Sequence, residues 1–392
     1  MKSRRRATLL LALAVGASLL PAAARAEEPD HVVQAGAVHP TNPLAPYEFT
    51  SYYPEMAKVH RGDTVKFTFA GFHTVTFLED DDAAKHPSFF RADDNVSGAF
   101  ALSQRMLEAS ECSGTPDGCV LSDTGSFLSA AGDFKLTVDL GPGAYRYHCL
   151  IHPSMHGFVQ VLPDEAALPA KEDVAAEVAA QIAADAQAAD DLVADNSVPQ
   201  SRTEGNRKIW TVYAGDATGR VAVLGYMPSS LNVARGDSVE FVSGRPGIKD
   251  EIHTVTFPAA AVGEGSAGGF LPFPMAGTAL FPACDVDDVN GGAPSIYPFI
   301  PIPPCPGTFE VIWSRYMTQS TSAPNDQVAT PATYHDSGLL VPEAAPGWAR
   351  GVPSSPPRNL PSTWSASFPN AGTFDYACNL HTTFMSGSIT VA

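Results

Sequence analysis

Apolar and polar positions alternate through much of the chain wherever glycine and proline do not interrupt them. In Thr64-Val65-Lys66-Phe67-Thr68-Phe69, the residues Val65, Phe67 and Phe69 share one face and Lys66 and Thr68 the other, the period of a half-buried strand. A Gly62-Asp63 turn feeds it, and the whole segment returns. Val59-His60-Arg61-Gly62-Asp63-Thr64-Val65-Lys66-Phe67 is matched by Val233-Ala234-Arg235-Gly236-Asp237-Ser238-Val239-Glu240-Phe241. The string HTVTF occurs at 73 and again at 253. Alternation there puts His73, Val75 and Phe77 on one face with Thr74 and Thr76 opposite, and His253 with Val255 and Phe257. A lone histidine on an apolar face is ordinarily a satisfied core residue. Its recurrence in both copies marks these two as candidates for chemistry.

Each copy also closes in the same way, with an alternating strand, a short loop and a last strand: AYRYHCLIHPSMHGFVQVL from 144, and TFDYACNLHTTFMSGSITVA from 373. Tyr145, Tyr147 and Cys149 share a face, as do Phe374, Tyr376 and Cys378, so each cysteine sits where its strand runs into the loop. The chain is therefore an internal duplication of an all-β unit, and its many short strands with turn signals predict sandwiches or barrels. The first unit is placed at 27–162 and the second at 206–392. Between them, 163–205 is rich in Ala, Asp and Glu. Val174, Val178 and Ile182 at four-residue spacing predict a short amphipathic helix within this linker. Two insertions, 79–132 and 258–371, are dense in Pro, Gly and Ser and read as loops.

Length agrees with this division, since 392 residues exceed the roughly 100–200 of one domain. Lys2, Arg4, Arg5 and Arg6, the apolar run Ala7 to Leu20 and the small-residue site Ala24-Arg25-Ala26 read as a cleaved export signal over 1–26. Ser3-Arg4-Arg5 hints at the twin-arginine route. No stretch reaches the roughly 20 apolar residues of a membrane span, so a soluble protein of the periplasm or exterior is expected. Cleavage removes five basic and no acidic side chains, taking the net charge from −18 to about −23. Nucleic acid is excluded as a partner on that ground.

Six cysteines in an exported chain first imply three disulfides. Cys112 and Cys119 bracket a turn-forming loop, and Cys284 and Cys305 lie in one Pro-rich insertion, so each pair is expected to close locally. Cys149 and Cys378 remain, one per repeat, each followed three residues later by histidine. A thiolate and two imidazoles with a weak axial thioether form the ligand set of a blue-copper site. The candidates are His73, Cys149, His152 and Met155 in the first repeat and His253, Cys378, His381 and Met385 in the second. Structural zinc sites favour further thiolates or histidine over methionine, which argues for copper. His156 is an alternative to Met155.

At these residues the chain resembles the cupredoxins. Cys149-Leu150-Ile151-His152-Pro153-Ser154-Met155 matches the Cys-x-x-His-x-x-Met loop of amicyanin, and Tyr147-His148-Cys149 is similar to the same family. The second loop has one residue more before Met385, between the amicyanin length and those of plastocyanin and pseudoazurin. The resemblance covers the two β-cores and implies Greek-key sandwiches, one type 1 copper in each, and electron exchange with redox protein partners. Enzymes built from cupredoxin domains fit less well. Multicopper oxidases need His-x-His pairs, and this sequence has none. Nitrite reductases pair one blue site with a three-histidine copper, whereas both repeats here keep blue-site ligands. His31, His39, His60, His86, His148, His156 and His335 are scattered and read as ordinary surface or loop residues. A copper-handling protein is the second reading, an oxidoreductase the third; the Met-rich or His-rich exposed tracts of copper handlers are missing.

Overall fold

The computed structural model describes residues 30–71, 73–77, 90–92, 100–102, 109–110, 123–124, 134–250, 252–260, 325–352, 358–378 and 380–392. The export signal, His86 and the expected disulfide cysteines Cys112, Cys119, Cys284 and Cys305 lie outside them.

Each repeat folds into two packed sheets, as an all-β chain should. In the first, the strand His31–Ala35 runs parallel to Thr64–Phe69, which pairs on its other side with Phe134–Thr137. The facing sheet is Gly143–His148, His156–Val161 and Met56–Val59. The predicted parity holds: Val65 and Phe67 are fully buried between the sheets with Val33, Val59, Tyr147 and Val159, while Phe69 packs at the margin. The second repeat copies this plan, with Arg207–Ala217 parallel to Ser238–Val242 facing a sheet of Ser230–Val233, Thr382–Val391, Gly372–Cys378 and Thr256–Phe257. Phe241 and Tyr376 meet edge to face at 5.1 Å between the layers, a contact that adds about 0.5–1.5 kcal/mol to the burial of each ring.

Three expectations need correction. Thr363–Ser367, inside the second insertion and read as loop, is a core strand paired with Ser238–Val242. It buries Trp364 and Ala366, and its small half-buried serines and nearby prolines hide that alternation in the sequence. The HTVTF segments are not half-exposed either. Thr74, Thr76, Thr254 and Thr256 are fully buried, because each segment is held between neighbours through short bridges, such as Thr76 with His148. The short helix is in fact Lys171–Asn196. Its apolar stripe continues past Ile182 through Ala186, Ala189 and Leu192, which are alanine-rich and carry little hydropathy, and it docks on Phe49, Tyr53, Val221 and Val223.

The two repeats are joined through a strand pair. Tyr47–Phe49 of the first repeat is one of the seven strands of the sheet that contains Arg207–Ala217, and it pairs antiparallel with Val221–Met227. Tyr52-Tyr53-Pro54 corresponds to Tyr226-Met227-Pro228, so Glu48 is the counterpart of Ala222. The observed register sets Phe49 opposite Val221, Glu48 opposite Ala222 and Tyr47 opposite Val223. Equivalent strands therefore pair about a local pseudo-twofold axis, and Glu48 and Ala222 sit on it.

One buried carboxyl in the second repeat makes stability pH-dependent. Asp336, on the strand pair His335–Asp336 with Thr256–Phe257, is fully buried and faces Tyr226 as well as Tyr334 and Thr256. Burial pushes its carboxyl up to about 7, against the Gly338 N–H and the Tyr334 and Thr256 hydroxyls that favour the charged form. Because the folded value lies above the unfolded one, the neutral form stabilises the fold, and that contribution is lost as pH rises through about 7. The stability of the wild type relative to Asp336→Asn should fall between pH 4 and 7 and level off above. Thermal unfolding of both proteins across that range checks it, and a gap that does not change with pH contradicts it.

Candidate metal centres

The first centre is assembled by two closures. Thr76 and His148 exchange both backbone hydrogen bonds, at 2.9 and 2.8 Å, which lays the His73 segment beside the strand that ends at Cys149. The loop then folds on itself: Met155 N–H donates to His152 O at 2.9 Å, and Cys149 N–H donates to Met155 O at 3.0 Å. Cysteine, histidine and methionine are thus fixed on one turn opposite a histidine from elsewhere. His73 Nδ1 lies 3.2 Å from His152 Nδ1, and Cys149 Sγ lies 3.6 Å from His152 Nδ1. All four residues are buried, with His152 the most exposed at 3%. Met155 shares the core with Cys149, whereas His156 turns away, its Nδ1 bonded to Ser154 O at 3.0 Å and its ring edge-on to Phe158.

The second centre repeats these spacings. His253 Nδ1 is 3.2 Å from His381 Nδ1, Cys378 Sγ is 3.5 Å from the same nitrogen, and Met385 is buried in the core with Cys378. His253 is held by a bridge to Leu340. The extra loop residue is absorbed as a register shift between Ala377 and Cys378 in the closing strand pair.

These donor sets fit a metal ion. Within each trio the ligand atoms lie within 4.8 Å of one another. One ion with bonds of about 2.0–2.3 Å places its ligand atoms about 3.3–3.8 Å apart, close to the separations found. Two imidazoles and a thiolate with a methionine beside them are the soft, mixed set that copper favours. The thiols are electrostatically prepared. Burial acts to raise the Cys149 value, but hydrogen bonds and charge from His152 and His73 outweigh it and bring it down to about 5. Cys378 is lowered as well, against its burial, by His253, the Thr254 N–H and the His381 N–H. Thr74 N–H donates to Cys149 Sγ at 3.4 Å and Thr254 N–H to Cys378 Sγ at 3.3 Å, so each sulfur has a fixed backbone donor.

The other histidines among the described residues do not join a centre. His31 pairs with Asp63, His39 with Asp190, His60 with Ala166 O and His335 with Asp326, while the His148 and His156 rings lie 6.5 Å apart. They are not all surface residues, since His39, His148 and His335 are buried.

Sequence reading missed several residues around the centres. Gly36 and Gly215, equivalent in the strings Ala35-Gly36 and Ala214-Gly215, adopt φ of 75° and 72°. A Cβ there would stand 2.4 Å from His73 Nε2 and 2.0 Å from His253 Nε2, so each glycine makes room for a candidate ligand ring. Tyr52 and Tyr226 donate their hydroxyls to Thr74 O and Thr254 O, the residues next to His73 and His253. Their repetition was the available signal: Tyr-x-Pro precedes both turn motifs. Glu48 is not repeated, since its counterpart is Ala222, and it gave none. Its Oε1 lies 3.6 Å from His152 Nε2 and 4.0 Å from His73 Nε2.

No family model and no curated protein matches the chain. Among solved structures it is similar to a methionine-to-alanine mutant of amicyanin in the Cu(I) form, at 15% identity and a TM-score of 0.20, over 50% of this chain and 91% of that one. It is similar to the oxidised plastocyanin of Dryopteris crassirhizoma, at 15% identity and a TM-score of 0.20, over 46% of this chain and 99% of that one. A mutant fern plastocyanin aligns at 20% identity and a TM-score of 0.19, over 33% of this chain and 99% of that one. These solved structures are cupredoxins, and the likeness extends over a third to a half of the chain.

Proposed function

We propose that this chain is an exported electron carrier of two cupredoxin-like domains, 27–162 and 206–392, each binding one type 1 copper. The ligands are His73, Cys149, His152 and Met155 in the first and His253, Cys378, His381 and Met385 in the second. The observation that carries this reading is the duplicated, buried trio of two Nδ1 atoms and one Sγ at metal-binding separations. Copper bound there supplies one-electron exchange between Cu(I) and Cu(II).

The chain's own residues suit that exchange in three ways. The ligand atoms are already gathered and held by core packing and backbone bonds, so little has to move when the charge of the centre changes. The Thr74 and Thr254 N–H groups face the sulfurs and tune their electron density. Burial of every ligand at 6% exposure or less excludes water and exchangeable ligands, which favours an electron carrier over a protein that delivers its metal. The partners are redox proteins, one reducing and one oxidising. Among the described residues no helix is long and apolar enough to cross a membrane.

Copper titration of the purified chain, followed by visible and paramagnetic-resonance spectra, tests the reading. Two equivalents and an intense thiolate charge-transfer band are expected. Binding without that band, or a single equivalent, contradicts it.

A further inference from the structure

The two centres differ where the two repeats meet. On the pseudo-twofold axis the first repeat carries Glu48 and the second carries Ala222, paired with each other across the strands Tyr47–Phe49 and Val221–Met227. Glu48 is 4% exposed, and its Oε1 faces the Nε2 edges of both His152, at 3.6 Å, and His73, at 4.0 Å. The Nδ1 atoms of the same two rings face each other and the sulfur. The carboxylate therefore lies behind the pair of imidazoles, on the side away from the metal position. Gly36 and Gly71 make this possible. Added Cβ atoms would stand 2.4 and 2.7 Å from His73 Nε2, and the one on Gly71 would also lie 3.5 Å from Glu48 Oε1. At the second centre the equivalent position is the methyl group of Ala222.

We propose that Glu48 is a positioning residue for the first centre alone, orienting both imidazoles through their outer nitrogens and giving that centre a lower reduction potential than the second. The proposal rests on reading both trios as copper sites. At 3.6 and 4.0 Å the approaches of Glu48 to the two rings are charge contacts, longer than hydrogen bonds. A carboxylate on that side of a ligand imidazole favours the tautomer that carries its proton on the outer nitrogen and leaves the inner one as donor to the metal. It also makes the imidazole more electron-rich and places negative charge near the metal in a region of low dielectric. Both effects favour Cu(II) over Cu(I). A single carboxylate shared by two ligands applies them twice. The asymmetry gives direction to the chain: the first centre becomes the better electron donor and the second the better acceptor.

The test uses the full chain, with Cys378→Ser to isolate the first centre and Cys149→Ser to isolate the second. Midpoints are measured on each background with Glu48, Glu48→Gln and Glu48→Asp, along with the thiolate band and the paramagnetic spectrum. The first centre should have the lower midpoint. Glu48→Gln should raise it by at least the equivalent of a tenfold change in the Cu(II)/Cu(I) ratio, about 59 mV for one electron, and alter its spectrum. Glu48→Asp should recover part of the shift, and the second centre should not move. A first-centre midpoint that stays put in Glu48→Gln while the band persists overturns the role of Glu48 alone, as does an equal shift in both centres. A wild-type chain that takes up copper without the thiolate band overturns the copper reading and the role of Glu48 with it.

Discussion

Gly215→Ala should empty the second centre while the first keeps its copper and its spectrum. The backbone at Gly215 has φ of 72°, a left-handed conformation that costs a residue with a Cβ about 1–3 kcal/mol. The added methyl would also stand 2.0 Å from His253 Nε2, 2.4 Å from Cδ2 and 2.8 Å from Cε1. The ring has nowhere to retreat, since His253 is 1% exposed and its backbone is locked to Leu340 in both directions. Overpacking of this kind adds roughly 1–3 kcal/mol. The ring is pushed away from His381 and Cys378, so the loss should appear in metal binding as well as in stability. The copper count falls from two to one, the thiolate band loses the second centre's share, and the unfolding midpoint of the second repeat drops. Gly36→Ala should do the same to the first centre, and there the methyl also meets a backbone atom, Ala70 O, at 2.1 Å. Two full equivalents and an unchanged band in Gly215→Ala would show that the glycine is not a seat for the ligand ring.

That glycine illustrates what could be read from the chain and what could not. The candidate ligands stood out because three of them sit within one loop of seven or eight residues and the fourth lies in a repeated pentapeptide. The strands following each Gly-Asp turn were legible because packing between two sheets demands apolar side chains at every second position. Gly215 and Gly36 were not legible. A glycine after a strand looks like any turn, and only the fold brings the ring of a distant histidine against it. Glu48 is hidden more deeply: a single acidic residue in a short strand reads as a solvated position, yet pseudo-symmetric pairing with Val221–Met227 buries it behind two histidines. The helix Lys171–Asn196 was under-read because alanine fills a tight interface without a hydropathy signal. Thr74 and Thr254 looked like the wet side of a strand. Their polar groups are buried because each has a partner, Thr74 Oγ1 accepting the Leu150 N–H at 2.8 Å and Thr254 O accepting the Tyr226 hydroxyl at 2.5 Å.

The greatest loss of spectroscopic signal is expected from the thiolates themselves. Cys149→Ser should remove the first centre's charge-transfer band completely, Cys378→Ser the second's, and the double variant should be colourless. Serine nearly preserves the shape of cysteine and can still take the Thr74 or Thr254 N–H that now points at the sulfur. The fold should therefore survive, with a stability cost on the order of 1 kcal/mol in metal-free protein for a small change in a satisfied buried group. The chemistry does not survive. The Cys149 thiol, lowered to about 5 by its histidines, is a thiolate at neutral pH. A serine hydroxyl stays protonated there and offers a hard, neutral oxygen where copper favours a soft anion. Removing an outer-shell partner of a metal ligand typically costs about 10–100-fold in affinity. Losing the charged ligand itself should exceed that, and the two His pairs left behind should hold copper weakly and without colour. Copper affinity, visible spectrum and thermal unfolding of the four proteins separate the outcomes. If the single variants unfold with the wild type but each lacks its own share of the band, the two sulfurs are the ligands. If Cys149→Ser keeps the full band, the first centre is not built on this cysteine.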